Sequence, residues 1–183
     1  MAYSSISHIG YALIGLALGS EAGVRAVLIY LAIYLFMNIG TFACILCMRR
    51  GGRMVEDIYD LAGLSKSHPM IALGLAIFMF SMAGIPPLAG FFGKLYIFQA
   101  AIEAEFYTVA IIGVLTSVIA AFYYLRIIRI IYFEELQDPL DQSVDREIGI
   151  LVGISSLLIL AFITYPEPVV SNAATAAASL FSG

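Results

Sequence analysis

Charged residues are scarce in this sequence. Only 12% of its 183 residues are Asp, Glu, Lys or Arg, whereas soluble domains usually carry about 25%. Hydrophobic residues make up 62%, and the mean hydropathy is +0.98. This composition excludes an ordinary water-soluble protein and predicts an all-α fold, a polytopic bundle of transmembrane helices.

Other absences exclude several kinds of function. Lys and Arg number only nine against thirteen Asp and Glu, so nucleic acid is not an expected partner. Gly51-Gly52 is predicted to be a turn, because no phosphate-binding glycine pattern accompanies it. The sequence contains no Ser/His/Asp constellation, carboxylate pair or metal-ligand cluster. We therefore expect no covalent catalysis by this chain, and no cofactor or metal site in it.

Cysteine is rare as well, and the two residues present are Cys44 and Cys47, three positions apart in an apolar stretch. Their CxxC spacing leaves open a redox or metal site, but a zinc ion would need two more ligands nearby. Plain packing within a helix is the alternative interpretation, and the sequence favours it.

Five apolar stretches approach the length of about 17 to 25 residues that a helix needs to cross hydrocarbon. They predict five crossings in a single membrane domain, 1–183, at about 2–20, 26–48, 70–102, 106–132 and 148–165. The third stretch is too short for two crossings and a turn. It therefore predicts one discontinuous helix, broken at 84–88.

The predicted break is built from residues that interrupt helices. Pro86 and Pro87 remove backbone donors and restrict the residues before them, and Gly84 precedes them. Gly90 would allow a neighbouring helix to approach closely. An ordinary proline kink is the alternative interpretation.

The basic residues indicate the orientation of the chain. With five crossings, the loops after the second and fourth spans lie on one side of the membrane and hold all but one of the arginines between 25 and 146, together with Lys66. Arg25 alone falls on the other side. Positively charged loops remain in the cytoplasm, so the amino terminus is predicted to be cytoplasmic and the carboxyl terminus periplasmic.

Lys94 is the only charged residue between Met70 and Ile102. A buried ammonium is costly in a membrane, and loss of hydration favours the neutral amine. Lys94 is therefore predicted to carry protons, in a pocket hydrated by the broken helix. The alternative is a lysine whose ammonium reaches the interface along its flexible stem.

Polar side chains recur along one face of each of three other spans. Helical spacing places Tyr30, Tyr34 and Asn38 on a common face, and the same holds for His8 and Tyr11. These residues could line a hydrated path to Lys94, or they could simply bond neighbouring helices at about 0.6 kcal/mol per pair. The candidates for the path are His8, Tyr11, Tyr30, Tyr34, Asn38, Thr116, Tyr123 and Tyr124.

Four segments carry a resemblance to a known family. They are 2–11 (AYSSISHIGY), 60–64 (DLAGL), 83–94 (AGIPPLAGFFGK) and 121–126 (AFYYLR). Together they resemble the antiporter-like membrane subunits of respiratory NADH-quinone oxidoreductase (respiratory complex I), and most closely the subunit N branch. The second span separates this branch from its siblings. The matching helix of the sibling subunits resembles one that bears histidines and a lysine on one face, whereas this sequence has Tyr30, Tyr34 and Asn38 at those positions. The 83–94 motif also resembles subunits of multisubunit cation/proton antiporters.

The resemblance implies a role and a setting. Lys94 would be the proton-carrying lysine of a broken helix, in a translocase subunit of the bacterial inner membrane. NADH, FMN, iron–sulfur clusters and quinone would belong to other subunits, and antiporter-like neighbours would be its partners. A sodium/proton antiporter subunit and a non-conducting assembly element are the alternatives.

The resemblance also implies that the chain is a part. The family resembles a bundle of about fourteen helices with two inverted five-helix repeats. A glutamate and two lysines of the first repeat would complete the proton path, and this sequence holds none of them. The chain is therefore expected to be a carboxyl-terminal fragment or the product of a split or truncated gene.

Overall fold

The computed structural model describes residues 1–55, 57–135, 140–141 and 146–182. This part of the chain is all-α apart from one small hairpin. The elements in order are α1 Ala2–Ala17, α2 Glu21–Leu46, β1 Arg49–Arg50, β2 Arg53–Met54, a 3₁₀ helix Ile58–Leu61, α3 Leu64–Ser67, α4 Pro69–Ala83, α5 Ala89–Glu103, α6 Tyr107–Phe133, α7 Arg146–Ala161 and α8 Glu167–Phe181.

Helix α2 is the centre of the bundle, and α1, α4, α5, α7 and α8 all pack on it. It begins at Glu21, where the Ser20 hydroxyl accepts a hydrogen bond from the amide of Gly23 at 3.1 Å. Among the described helices, α2 and α6 are each long and apolar enough to cross a membrane alone. The core around α2 consists largely of fully buried apolar side chains, among them Ile29, Met37, Phe78, Met79 and Met82.

Helices α4 and α5 lie end to end along α2. Tyr30 of α2 faces Gly93 of α5, whereas Gly40, almost three turns later in α2, faces Phe78 of α4. Residue numbers in α2 thus rise as those of the residues facing them in α5 and α4 fall. The chain therefore runs antiparallel to α2 through both helices and does not fold back as a hairpin at the prolines.

Helix α4 ends at Ala83 and helix α5 begins at Ala89. Gly84 ends α4 in the left-handed conformation, with φ of +82°, which a glycine adopts without steric cost. The Pro86-Pro87 peptide that follows is cis. Gly90, at the start of α5, lies directly against the backbone carbonyl of Ser81, so a side chain there would force the two helices apart.

The loop after α2 contains a hairpin that the sequence analysis did not foresee. Gly51 and Gly52 form its turn, both with positive φ. Their amides donate to the two carboxylate oxygens of Asp141, each at 2.9 Å. The bonds from Gly52 and Gly51 lower the pKa of Asp141, and the nearby charge of Arg49 adds to the effect. This contact ties the loop before α7 to the hairpin.

The last apolar stretch differs from its prediction in one respect. A span at 148–165 was expected, but α7 ends at Ala161 and a separate helix, α8, begins at Glu167. Pro166 and Pro168 account for the division, since proline disfavours helical conformation in the preceding residue and is tolerated in a first turn. Helix α8 buries Ala173 and packs on α2.

Candidate functional site

Lys94 is buried at the break, with 5% of its surface exposed. Its ammonium donates hydrogen bonds to the carbonyl oxygens of Met82 at 2.8 Å and Ala83 at 3.4 Å. These carbonyls belong to the last turn of α4, where a helix leaves its acceptors unpaired and carries partial negative charge. The end of one half-helix therefore holds the cation carried by the other.

A third partner of the ammonium comes from α6. The Ser117 hydroxyl lies 2.8 Å from Lys94 Nζ, and the ring of Tyr11 lies beside the same atom, with its centroid at 5.1 Å. The ion pairs found in the described part of the chain join Arg50 to Asp60 and Arg129 to Glu134, so no carboxylate neutralises Lys94 there. Its charge is instead stabilised by carbonyls, a hydroxyl and an aromatic face.

Gly84 makes room for this side chain. A methyl group at this position would lie 3.3 Å from Lys94 Cδ and 3.4 Å from Nζ. The same glycine thus serves two purposes, because it caps α4 and leaves space above the break for the ammonium.

A buried histidine lies at the centre of a second group of polar residues. His8 Nδ1 is 2.6 Å from the Tyr30 hydroxyl, and His8 Nε2 is 3.0 Å from the Tyr124 hydroxyl. The Tyr124 hydroxyl also hydrogen-bonds Ser4. The resulting file, Tyr30–His8–Tyr124–Ser4, joins α2, α1 and α6, and the ring of Tyr34 stacks on His8 at 4.8 Å.

Two residues connect the file to the lysine. Met82, whose carbonyl binds Lys94, also places its sulfur 4.0 Å from the Ser4 hydroxyl. Tyr11 lies between the two groups, because its ring contacts the ammonium on one side and meets His8 edge-on at 6.1 Å. The Tyr11 hydroxyl is buried and has no hydrogen-bond partner among the described residues.

The structure gathers most of the predicted residues and leaves out two. Tyr123 packs against Tyr124, with ring centroids 4.3 Å apart. Asn38 is half-buried and takes no part in the file within the described chain. Thr116 is exposed on α6 and bonds the carbonyl of Gly113 in its own helix at 2.9 Å. Thr116 thus lies outside the cluster.

Two functional hydroxyls escaped the sequence analysis. Ser117, next to Thr116, makes the contact with Lys94. Ser81 bridges the break: it accepts a hydrogen bond from the Gly90 amide at 3.0 Å and contacts the Met37 sulfur at 3.0 Å. Neither residue gave a local signal, because Ser81 lies nine residues before Gly90 and Ser117 adjoins Thr116, which carries the same functional group.

The cluster can hold and relay protons, and its composition offers little else. Lysine, histidine and tyrosine all gain or lose protons, and hydroxyls both donate and accept hydrogen bonds. The described residues include no group of three potential metal ligands. Cys44 and Cys47 are unoxidised thiols buried in the core beside α4.

Comparison with known proteins identifies relatives of this chain. It is 59% identical over 181 residues to NADH-quinone oxidoreductase subunit N of Rhodospirillum rubrum, a match that covers 98% of this chain and 37% of the relative. The chain thus spans little more than a third of the length of that relative.

Two solved structures share the fold. A chain of respiratory complex I from Thermus thermophilus matches with a TM-score of 0.79 at 29% identity, over 93% of this chain and 38% of that one. A chain of the Mrp complex from a Dietzia species matches with a TM-score of 0.86 over 98% of this chain and 42% of that one. At 23% identity, this second likeness concerns the fold alone.

A family model provides the assignment. The model described as NADH:quinone oxidoreductase/Mrp antiporter, transmembrane, matches residues 1–120, which include α1, α2, the break and Lys94. The chain belongs to the transmembrane family of the NADH:quinone oxidoreductases and Mrp antiporters.

Proposed function

We propose that this chain is the carboxyl-terminal part of a proton-translocating membrane subunit of NADH-quinone oxidoreductase. Proton movement through the chain is coupled to electron transfer from NADH to quinone in other subunits, which hold the cofactors. The observation that carries the proposal is the buried ammonium of Lys94 at the break of a discontinuous helix, without a carboxylate partner in the described chain. The subunit N relatives support the choice of complex.

In this proposal Lys94 exchanges its proton with a wire of hydroxyls and imidazole. Neutral histidine carries a proton on one ring nitrogen and accepts on the other, and each tyrosine hydroxyl donates or accepts. The file from Tyr30 through His8 and Tyr124 to Ser4 is therefore able to reverse its direction of donation. The file reverses when one proton enters at one end and another leaves at the other end, so a proton is transferred without movement of any helix.

Water completes the path at Tyr11. Its buried hydroxyl has no partner in the described chain, and buried polar groups are normally hydrogen-bonded to protein or to ordered water. The Tyr11 ring lies beside both Lys94 and His8, so a water bound to its hydroxyl is our candidate for the link between the lysine and the file. Asn38, Thr116 and Tyr123 are further candidates for contacts with water along the route.

The topology of the proposal has five crossings in a bacterial inner membrane. These are α1, α2, the α4–α5 pair, α6 and α7, with the amino terminus in the cytoplasm and the carboxyl terminus in the periplasm. In the longer relatives, the part of the chain outside this match supplies the remaining helices. Antiporter-like membrane subunits are the proposed neighbours of this chain in the complex. The arrangement of α4 and α5 end to end along α2 favours one crossing at this point over two.

Substitution of Lys94 tests the proposal within the assembled complex. Lys94→Met keeps a chain of similar length and removes the proton carrier, so proton uptake per NADH oxidised by inverted membrane vesicles should fall. Lys66→Met is the matched control, because Lys66 is an exposed lysine of α3 and should leave that ratio unchanged. An unchanged ratio in Lys94→Met, in vesicles with normal amounts of complex, would refute the role of Lys94.

Tyr124→Phe tests the wire separately. This substitution keeps the ring and removes the hydroxyl that bonds both His8 and Ser4. The proton yield should fall while NADH oxidation by an artificial acceptor persists. Tyr59→Phe provides a control of identical chemistry, because Tyr59 lies in the 3₁₀ helix and far from the file in sequence and contacts.

A second function, sodium/proton exchange, is favoured by one observation. The description of the matching family names Mrp antiporters beside NADH:quinone oxidoreductases. Vesicles would then show sodium-dependent proton movement without NADH. Proton uptake that needs NADH and ignores sodium would refute this second function.

A further inference from the structure

A charged groove lies on the outer face of the bundle, away from Lys94. It has a volume of about 580 Å³ and is bounded by the last turns of α6 and by the 3₁₀ helix. The residues that line it include Tyr59, Phe122, Leu125, Arg126, Arg129 and Glu134. Its polar end thus holds two guanidinium groups and one carboxylate, and its other end is apolar.

Arg126 is oriented by two contacts with Tyr59. Its Nη2 donates to the Tyr59 hydroxyl at 2.6 Å, and its guanidinium lies over the Tyr59 ring at 5.6 Å. These two contacts orient a fork with five N–H donors, a geometry that suits phosphate oxygens. These contacts reduce the conformational freedom that the side chain would lose on binding a ligand.

Arg129 lies one turn further along the same helix and is far less constrained. Its side chain is 74% exposed, and its contact with Glu134 is long, at 3.8 Å. An exposed ion pair of this kind contributes little, so an anion of higher charge density could displace the carboxylate. The groove therefore presents two guanidinium cations one helical turn apart, and Glu134 partly neutralises only that of Arg129.

The position of the two arginines along α6 indicates what they meet. A helix of 27 residues is about 40 Å long, whereas the hydrocarbon core of a bilayer is about 30 Å thick. Arg126 lies about 28 Å along the axis from Tyr107 and therefore near the edge of that core. Lipid phosphates occupy this depth.

The apolar end of the groove continues into a face that would meet acyl chains. Phe122 is 73% exposed and Leu125 is 42% exposed, both within one turn of Arg126 on its hydrocarbon side. One turn closer to the start of α6, Val118 and Ile119 are exposed as well. The groove therefore combines N–H donors that suit a phosphate with an adjoining apolar surface. A phospholipid has the same arrangement, a phosphate headgroup followed by acyl chains.

We propose that this groove binds an anionic phospholipid. The phosphate lies between Arg126 and Arg129, the Tyr59 hydroxyl lies at its edge, and the acyl chains cover Phe122 and Leu125. An acidic segment of another protein would satisfy the guanidinium groups, but the continuous apolar face beside them favours a lipid. This binding site is independent of proton transfer at Lys94.

The test compares lipids on the purified full chain in neutral detergent by native mass spectrometry. Phosphatidylglycerol should bind, and phosphatidylcholine should bind more weakly, since its choline group opposes the guanidinium groups. The double variant Arg126→Gln/Arg129→Gln should weaken phosphatidylglycerol binding on the order of thirtyfold, because each basic residue near an anionic lipid contributes about 1 kcal/mol. Arg53→Gln, a basic residue of the exposed hairpin, is the matched control and should bind as the wild type does.

Several outcomes would overturn the proposal. One is equal loss of binding in Arg53→Gln, and another is no difference between the two lipids. Displacement of phosphatidylglycerol by millimolar inorganic phosphate alone would reveal a site for free anions rather than for lipid. A photo-crosslinker at position 129 that captured only protein in native membranes would favour an acidic partner. The single variant Arg129→Gln keeps the Arg126–Tyr59 contact and should retain the fold, so its own loss of binding tests the site if the double variant is unstable.

Discussion

Replacement of Gly90 by alanine is expected to open the junction between α4 and α5. The new methyl group would meet the backbone carbonyl of Ser81 and approach the Ser81 hydroxyl to 2.9 Å. Neither half-helix can yield by rotating a side chain, because the nearest atoms belong to the backbone. The junction must therefore widen, and the hydrogen bond from the Gly90 amide to Ser81 is lost with it.

The size of the effect follows from three contributions. Overpacking costs about 1 to 3 kcal/mol, and the lost hydrogen bond costs about 1 kcal/mol. Alanine in place of glycine stabilises a helix by about 1 kcal/mol, which offsets part of this cost. Gly10→Ala isolates the last contribution, since a methyl group at this exposed position of α1 meets nothing within 4 Å. Gly90→Ala should therefore be less stable than Gly10→Ala by roughly 2 to 4 kcal/mol.

The measurement is the midpoint of unfolding when each variant is titrated from mild detergent into sodium dodecyl sulfate. The chain contains no tryptophan, so loss of helix is best followed by far-UV circular dichroism. Equal midpoints for the two variants would refute the close approach of α4 and α5. A second consequence should accompany the loss of stability: Lys94, one turn after Gly90, would move away from the carbonyls of α4 that hold it.

Two further predictions concern α6 and the hairpin. Ser117→Ala should lower the free energy of unfolding by about 1 to 3 kcal/mol, because a buried ammonium loses a partner. Thr116→Ala, on the exposed side of α6, should change that free energy by less than about 0.5 kcal/mol. The titration into sodium dodecyl sulfate measures both. Asp141→Asn should speed amide hydrogen exchange at Gly51 and Gly52 near neutral pH. The pKa of Asp141 is lowered on folding, so in the wild type its stabilising effect is complete above about pH 4 and is lost only as the pH falls through that lowered pKa. Rapid exchange of both amides in the wild type at pH 6 would contradict this account.

The sequence located the chemically unusual residue without any knowledge of the fold. Lys94 is prominent because hydrocarbon makes a lone charge costly, and Pro86 and Pro87 indicate an interruption because they lack backbone donors. Helical periodicity likewise placed His8 and Tyr30 on inward faces. These inferences need only the chemistry of single residues and the period of one helix.

Other features depended on where helices meet. Thr116 and Ser117 are neighbours with the same functional group, and only the rotation of α6 against α5 decides that the serine reaches Lys94. Ser81 and Gly90 lie nine residues apart, and the geometry of the break brings them into contact. Neither pairing follows from local pattern, because a shift of one position in a helix rotates a side chain by about 100°.

By itself, therefore, the sequence determined that the protein is a helical membrane bundle with a broken helix and an isolated lysine, because composition and backbone restrictions act locally. Tertiary structure alone decided what holds the ammonium: the carbonyl oxygens of Met82 and Ala83 from one half-helix and the Ser117 hydroxyl from another helix. These partners are distant along the chain. Hydrogen bonds depend on distances of about 3 Å, and only packing of the helices in three dimensions sets such distances.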